Sequence, residues 1–428
     1  MRWLFRGKIH TGTLTISDPT GLVETFRGSE AGPVVTIHLS DPNIGWKILL
    51  NPELRFAEAY MDGTIEVVQG DLRDLLMLLR LNRTHIDSGA VIALFNRFFR
   101  ALRRFHQNNT LLNARRNAAH HYDLGNDLYR LFLDEDMQYS CAYFETGDET
   151  LEQAQLAKKR LIAAKLRLEP GQRVLDIGCG WGGMAMYLAQ MADVEVLGVT
   201  LAAEQLKLAR ERAEAAGLAR RVRFELQDYR KVQGQFDRIV SVGMMEHVGA
   251  PMLGTYFARV RDLLAPDGVA LIDSIMIMES PGITSPFTRK YIFPGAYPPS
   301  LSETFAAVER SRLWLLDCEV WRKHYAFTLK EWSRRFAASR NVAKALYDER
   351  FCRMWEFYLA GAETAFLADT LAVMQLQLGR ERDAVPITRD YLVAETNQLH
   401  TREAQIAAGW SDGYEATARR VQIKNAQI

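Results

Sequence analysis

Arg173–Gly183 reads R-V-L-D-I-G-C-G-W-G-G, and the fold is decided there. Val174, Leu175 and Ile177 make a short apolar run that predicts a buried strand. Gly178, Gly180, Gly182 and Gly183 follow, and Met184, Met186, Tyr187 and Leu188 then carry an apolar helical pattern. A strand, a glycine-rich turn and a helix start form the layout of a nucleotide-type cofactor site. Glycine lets such a loop bend sharply and bring bare backbone against a ligand. The helix start adds unpaired N–H groups.

The spacing G-x-G-x-G-G has no Lys-Ser/Thr ending, which argues against a nucleoside triphosphate. The acidic residue precedes the first glycine, as Asp176, close to where an amino or carboxylate group of a ligand would lie. The stretch resembles motif I of S-adenosylmethionine (SAM) methyltransferases more than a dinucleotide fingerprint.

The chain has 428 residues, enough for two or three domains or one large core with additions. A formal net charge of +1 gives no electrostatic call for a nucleic-acid partner. Cys141, Cys179, Cys318 and Cys352 are scattered, without metal-ligand or disulfide spacing, which points to a reducing cytoplasm. The N-terminal M-R-W-L-F-R-G-K is not a secretory signal, and no apolar run is long enough to span a bilayer. A soluble protein able to lie on a membrane is expected.

Residues 1–82 read as a small α+β domain for lipid docking or dimerisation. Alternation predicts strands at Thr13–Ile16 and Val34–Leu39, with turns at Asp18-Pro19 and Gly32-Pro33. Helices are expected over Leu54–Met61 and Leu72–Leu81. Residues 83–118 read as a basic helical linker: Val91, Ile92, Phe95, Phe98, Phe99 and Leu102 recur at helical spacing among Arg97, Arg100, Arg103 and Arg104. Such a helix settles at an anionic lipid surface or packs its Phe face on the core. The adjacent His120 and His121 lack partners at zinc-site spacing, so no metal is expected.

Residues 119–428 read as a catalytic domain. After a charged helix over Leu151–Leu166, strands are expected at Val174–Ile177, Val194–Val199, Val222–Leu226, Phe236–Val242 and Val269–Met278, alternating with helices. This βαβ series implies a parallel sheet, with ligands outside the carboxyl ends of its strands. Those ends carry Gly178–Gly183, Thr200-Leu201, Gln227-Asp228-Tyr229, Gly243–His247 and the Asp273 region. Tyr291–Ser300 is a Pro- and Gly-rich lid or wall. A strand at Leu313–Val320 and a helix at Leu329–Phe336 precede long helical patterns over Val342–Gln377, and residues past Trp410 are expected to be loosely ordered.

Eight ordered motifs between residues 118 and 375 carry a family resemblance. They include H-H-Y-D-L-G-N-D-L-Y (His120–Tyr129), Q-Y-S-C-A-Y-F (Gln138–Phe144), V-L-D-I-G-C-G-W-G-G, L-Q-D-Y-R, M-E-H-V-G and K-Y-I-F-P-G-A-Y-P-P-S. The chain resembles the cyclopropane-fatty-acyl-phospholipid synthase family, related to the mycolic acid cyclopropane synthases. The resemblance implies a Rossmann-like class I SAM methyltransferase sheet with helical insertions and a lid. It implies methyl transfer from SAM to a double bond in a phospholipid acyl chain. Gly178, Gly180 and Trp181 would hold the methionine part of SAM, beside Asp176, with Tyr139 and Ser140 closing over it. Thr200, Leu201 and Gln205 would lie near the ribose, and Gln227, Asp228 and Tyr229 would flank the adenine. A homodimer at the inner face of the membrane is also implied.

The reaction needs an in-line methyl donor, stabilisation of positive charge on carbon, and a base for a proton of the new methyl. In the family that base is a bound bicarbonate, and the matching holding residues are Cys141, Glu246, Ile275 and Tyr325. The fifth family position is histidine, but this chain has Asp273 in L-I-D-S-I-M. An ionised aspartate only accepts hydrogen bonds, so bicarbonate is in doubt. Asp273 is then itself the base, or holds the anion while protonated, or proton loss elsewhere gives a methyl-branched or methylene product. Met244, Met245, Met276, Met278, Phe287 and Phe293 fit an acyl tunnel. The alternatives are a methyltransferase for a small soluble acceptor and a lipid- or SAM-binding protein without catalysis.

Overall fold

The computed structural model describes residues 5–41, 43–87 and 124–425. The arginine-rich linker helix, His120 and His121 lie outside the described residues.

Near the N-terminus, β1 (Thr11–Ser17), β2 (Val23–Arg27), β3 (Glu30–Leu39) and β4 (Ile65–Gln69) form a sheet in the order β2-β1-β3-β4. Leu14 and Ile16 of β1 and Val35 and Ile37 of β3 alternate onto one face and are buried with Leu75 and Leu78 of the helix Leu72–Leu81. β2 and β4 escape the sequence reading because both are short and largely exposed, so neither shows a sustained apolar pattern. The turn expected at Gly32-Pro33 lies instead inside β3. There the β1–β3 register shifts between Thr11 and Thr13, a place where a proline without an N–H is tolerated.

The larger sheet holds β5 (Arg173–Ile177), β6 (Glu195–Thr200), β7 (Val222–Leu226), β8 (Phe236–Val242), β9 (Leu264–Ile277), β10 (Trp314–Trp321) and β11 (Leu371–Gly379). Their order is β10-β11-β9-β8-β5-β6-β7. The strands from β7 through β9 are mutually parallel, and β11 and β10 are antiparallel additions. The chain leaves β5 toward β6 on one side and returns to β8 on the other, which opens a crevice at their carboxyl ends.

The long helical reading of Val342–Gln377 holds only in part. Helices cover Arg340–Leu346 and Glu349–Ala368, but the remainder is β11, wedged between β9 and β10. β11 is buried on both faces, and an apolar run without an exposed face has no period that separates strand from helix. The tail after Asp383 contains a helix over Asp390–Asn425. Glu403 fastens it to the sheet's helices, accepting from Arg160 at 2.7 Å and from the Tyr187 hydroxyl at 2.7 Å.

The N-terminal helices Pro52–Met61 and Leu72–Leu81 dock on Glu349–Ala368. Ala57, Met61 and Leu76 share a core with Trp355 and Phe357. Arg73–Glu363 and Arg83–Asp369 ion pairs, each 2.6 Å, edge the contact. Among the described residues no helix is long and apolar enough to cross a membrane.

Candidate active site

The loop after β5 is a backbone cradle. Gly178, Gly180 and Gly182 have φ of 85°, 53° and 82°, in the left-handed region that L side chains disfavour. A Cβ on Gly178 would meet Met244 at 2.8 Å, whereas at Gly180 nothing lies within 4 Å, so the loop packs on one side and is open on the other. The Gly178 and Cys179 N–H groups donate to the Val199 carbonyl, which pins the turn to β6. Trp181 is buried, and its indole N–H donates to Asn126 at 2.7 Å. Asn126 belongs to the H-H-Y-D-L-G-N-D-L-Y motif, which thereby serves the cradle.

A cavity of about 180 Å³ opens above this loop. A water needs only about 10–15 Å³ by the same measure, so the space suits an organic ligand. Every residue assigned to the cofactor lines it: Tyr139, Ser140, Asp176, Gly178, Gly180, Trp181, Thr200, Leu201, Gln205, Gln227, Asp228 and Tyr229. Most are fastened in turn. Thr200 Oγ1 bonds Gln205, Asp228 is clasped by Arg230 at 2.7 and 2.8 Å, and the Tyr139 and Tyr358 hydroxyls lie 2.9 Å apart.

Asp176 is different. One carboxyl oxygen is buried without a partner, and burial raises its pKa to about 7. An orphaned acceptor at such a depth costs energy unless a ligand's donor or positive charge completes it. SAM carries both an ammonium and a sulfonium, so the donor set, the glycine cradle and the cavity fit it.

The five residues assigned to chemistry, Cys141, Glu246, Asp273, Ile275 and Tyr325, do not line this cavity. They adjoin residues that do: Cys141 follows Ser140, Glu246 precedes His247, and the Asp273 carbonyl accepts from the Gly243 N–H at 2.9 Å. Glu246 Oε1 accepts the Ile275 N–H at 2.6 Å, while Oε2 is buried without a partner. Burial, reinforced by Asp273, raises the Glu246 pKa to about 7 although the Ile275 bond opposes it. Asp273 is raised to about 6 by burial, against the hydrogen bond from Gln375 and the charges of Lys158 and Lys165. Burial, and then the Asp273 charge, keep Cys141 a neutral thiol. Burial keeps Tyr325 a phenol, with Tyr358, Cys141, Glu246 and Asp273 adding to the effect. Asp273 and Ile275 are two apart on β9, so their side chains leave the strand on the same side.

Sequence reading missed the residues that support this cluster. Lys158 is fully buried, and its Nζ donates to Gln138 Oε1 at 2.9 Å and to Ser140 Oγ at 2.8 Å. Burial lowers its pKa to about 8, with Asp134 and Asp273 pulling the other way. Gln375 of β11 donates to Asp273 Oδ2 at 2.8 Å and accepts from Lys165 Nζ at 2.7 Å. A signal was present: Leu151, Ala154, Lys158, Ile162 and Lys165 fall on one helical stripe, so both lysines share the apolar face. Aromatic faces complete the surroundings. Tyr139 stacks on Trp332 at 5.2 Å and Tyr325 meets Trp332 edge-on at 5.8 Å.

The residues expected along an acyl tunnel divide by position. Met244 and Phe293 line the cavity, but Met245 and Met276 belong to the core beside β8 and β9, and Phe287 to the core beneath Glu349–Ala368. Met278 is 42% exposed.

The sheet, its crevice and the cradle define a Rossmann-like class I SAM-dependent methyltransferase. Comparison with known proteins agrees and is more specific. A family model, mycolic acid cyclopropane synthetase, matches residues 109–376, and a domain of unknown function, DUF7884, matches residues 8–86. The chain belongs to the mycolic acid cyclopropane synthetase family. It is 39% identical over 348 residues to the cyclopropane-fatty-acyl-phospholipid synthase of Escherichia coli K12, covering 80% of this chain and 87% of that one. It is 41% identical over 284 residues to the tuberculostearic acid methyltransferase UfaA1 of Mycobacterium tuberculosis, covering 63% and 66%. The solved mycolic acid cyclopropane synthase CmaA1, complexed with SAH and CTAB, superposes with a TM-score of 0.59 at 33% identity, covering 62% of this chain and 97% of that one.

Proposed function

We propose that this enzyme transfers the SAM methyl group to a carbon–carbon double bond in the acyl chain of a membrane phospholipid, closes a cyclopropane ring, and uses Asp273 as the proton acceptor. The relatives named for fatty-acyl phospholipid and tuberculostearic acid chemistry support an unsaturated lipid chain as acceptor. SAM supplies an electrophilic methyl on a sulfonium. An alkene is a poor nucleophile, so alignment by the cradle and wall carries much of the rate. The faces of Tyr139, Tyr325 and Trp332 and the nearby carboxylates favour the positive charge that develops on the acyl carbon. In total the alkene π bond, the donor's C–S bond and one C–H bond of the transferred carbon would break, two C–C bonds would form, and the freed proton would pass to Asp273. A saturated methyl branch would require a hydride donor in addition.

The observation that carries this reading is the pair Glu246 and Asp273, both buried and adjoining residues that line a cavity suited to SAM. A base works best with a pKa near the operating pH, and Asp273 at about 6 is ionised at neutrality yet basic enough to take a proton. Glu246 already holds the Ile275 N–H, which leaves that donor engaged. Lys158 supplies positive charge to the pocket, so two carboxyls are tolerated there. A phospholipid acceptor places the enzyme at a membrane surface.

The test incubates the protein with SAM and unsaturated phospholipid vesicles, with and without bicarbonate, and identifies the lipid by mass spectrometry and NMR. The expected result is a ring product at a rate independent of bicarbonate, with Asp273→His acquiring a bicarbonate requirement. A bicarbonate requirement in the unaltered protein would reject Asp273 as the base. Methylation of a polar metabolite, with none on vesicles, would reject the lipid acceptor.

A further inference from the structure

The segment Phe287–Tyr297 forms one wall of the cavity through Phe293 and Pro294. Phe293 meets the rings of His247 at 5.5 Å and Tyr358 at 5.8 Å. Farther on, the Tyr297 N–H donates to the Glu246 carbonyl at 2.7 Å. One short segment thus touches both the cofactor cavity and the backbone of a clustered carboxyl.

Its other side is gripped from the N-terminal domain. Glu58, on the helix Pro52–Met61, is 7% exposed. Its Oε1 accepts from Lys290 Nζ at 2.6 Å and from the Tyr291 hydroxyl at 2.9 Å, and its Oε2 accepts from Arg55 at 2.7 Å. Residues 288–292 form a single π-helical turn, a geometry that is rare and held by its surroundings. Phe293 follows that turn directly.

We propose that Glu58 is a positioning residue which, from the N-terminal domain, holds the turn at Lys290 and Tyr291 and thereby sets Phe293 and Pro294 against bound SAM. This gives the N-terminal domain a part in the active site. The two domains have other holds besides Glu58, in the apolar contact of Ala57, Met61 and Leu76 and the Arg73 and Arg83 ion pairs. Removing Glu58 should therefore free the wall while the domains stay together. Only the turnover readout below rests on the proposed acyl reaction.

The full-length chain is compared with Glu58→Gln, with the exchanged pair Glu58→Lys/Lys290→Glu, and with Arg83→Gln, which cuts an inter-domain ion pair away from the wall. SAM binding is read by calorimetry without lipid, and trypsin cleavage after Lys290 by mass spectrometry. For Glu58→Gln the SAM dissociation constant is expected to rise about tenfold, the effect of one charge-assisted hydrogen bond. Cleavage after Lys290 speeds up, turnover on vesicles falls, and the exchanged pair recovers most of the affinity. Arg83→Gln leaves SAM affinity unchanged. Unaltered affinity in Glu58→Gln, or an equal loss in Arg83→Gln, would overturn the proposal. Glu58-dependent SAM affinity in a protein that makes no acyl product would reject the proposed reaction and leave this inference standing.

Discussion

The cofactor cavity and the carboxyl cluster adjoin, yet they are built in opposite ways. The cavity is made of short stretches at strand ends, where backbone and neighbouring residues do the holding: Gly178 and Gly180, Thr200 and Leu201, Gln227 to Tyr229. The cluster is assembled across the fold. Cys141 follows a loop, Glu246 a short turn after β8, Asp273 and Ile275 sit on β9, and Tyr325 starts a later helix. Its support comes from Lys158 on a helix before the sheet and Gln375 on a strand after it. A site that grips a common ligand can be written locally. A site that holds ionisable groups out of water needs a satisfied partner on every side, and those partners come from distant segments.

The sharpest way to break this contrast is to remove a carboxyl from each region. Asp273→Asn is expected to cut turnover about 10²–10⁴-fold, the scale of a lost general base, while SAM binding in calorimetry stays near its original value. Equal losses of both would show that the two regions are one. Asp176→Asn should do the reverse, weakening SAM binding about 10–100-fold through loss of a charge-assisted contact.

Titration tests the same division. Free Asp176 takes up a proton below about 7, and cationic SAM favours the ionised form. SAM binding should therefore weaken up to about tenfold for each pH unit below that point, and binding should release a proton. Calorimetry in buffers of different ionisation enthalpy reads both. For stability the sign is opposite to that of paired surface carboxylates. Asp176, Glu246 and Asp273 all have raised pKa values, so their contribution is fully present below ordinary carboxyl pKa values and is lost as pH rises through about 6 to 7. The SAM-free protein should lose about 1 kcal/mol or more from these groups between weakly acid and neutral pH, and Asp176→Asn should flatten that slope in thermal melts.

The smallest expected effect on turnover belongs to Gln375→Leu. It removes the donor to Asp273 and the acceptor for Lys165, at a cost of about 1–3 kcal/mol in denaturant unfolding. The acid limb of the turnover profile should move to higher pH, because a donor that favoured ionised Asp273 is gone. An unmoved limb would detach Asp273 from the proton transfer.

Legibility followed the same division. The helices Leu72–Leu81 and Leu151–Leu166 and the strands β7 and β8 stand where their patterns place them, because each shows water one face or is bounded by turn residues. β11 was misread because it meets water on neither face, and with it went Gln375. Lys158 escaped because a lysine on an apolar stripe ordinarily reaches back to solvent, and only the packed helix shows that it does not.

From its residues alone this chain declared a parallel sheet with a glycine cradle at its switch point, because strand period, glycine spacing and the acidic residue before the loop are local properties. Tertiary structure decided the state of Asp273 and Glu246, the placing of β11 inside the sheet, and the grip of Glu58 on the cavity wall. Those depend on which groups share a space without water, and segments far apart in the chain settle that only once they have packed.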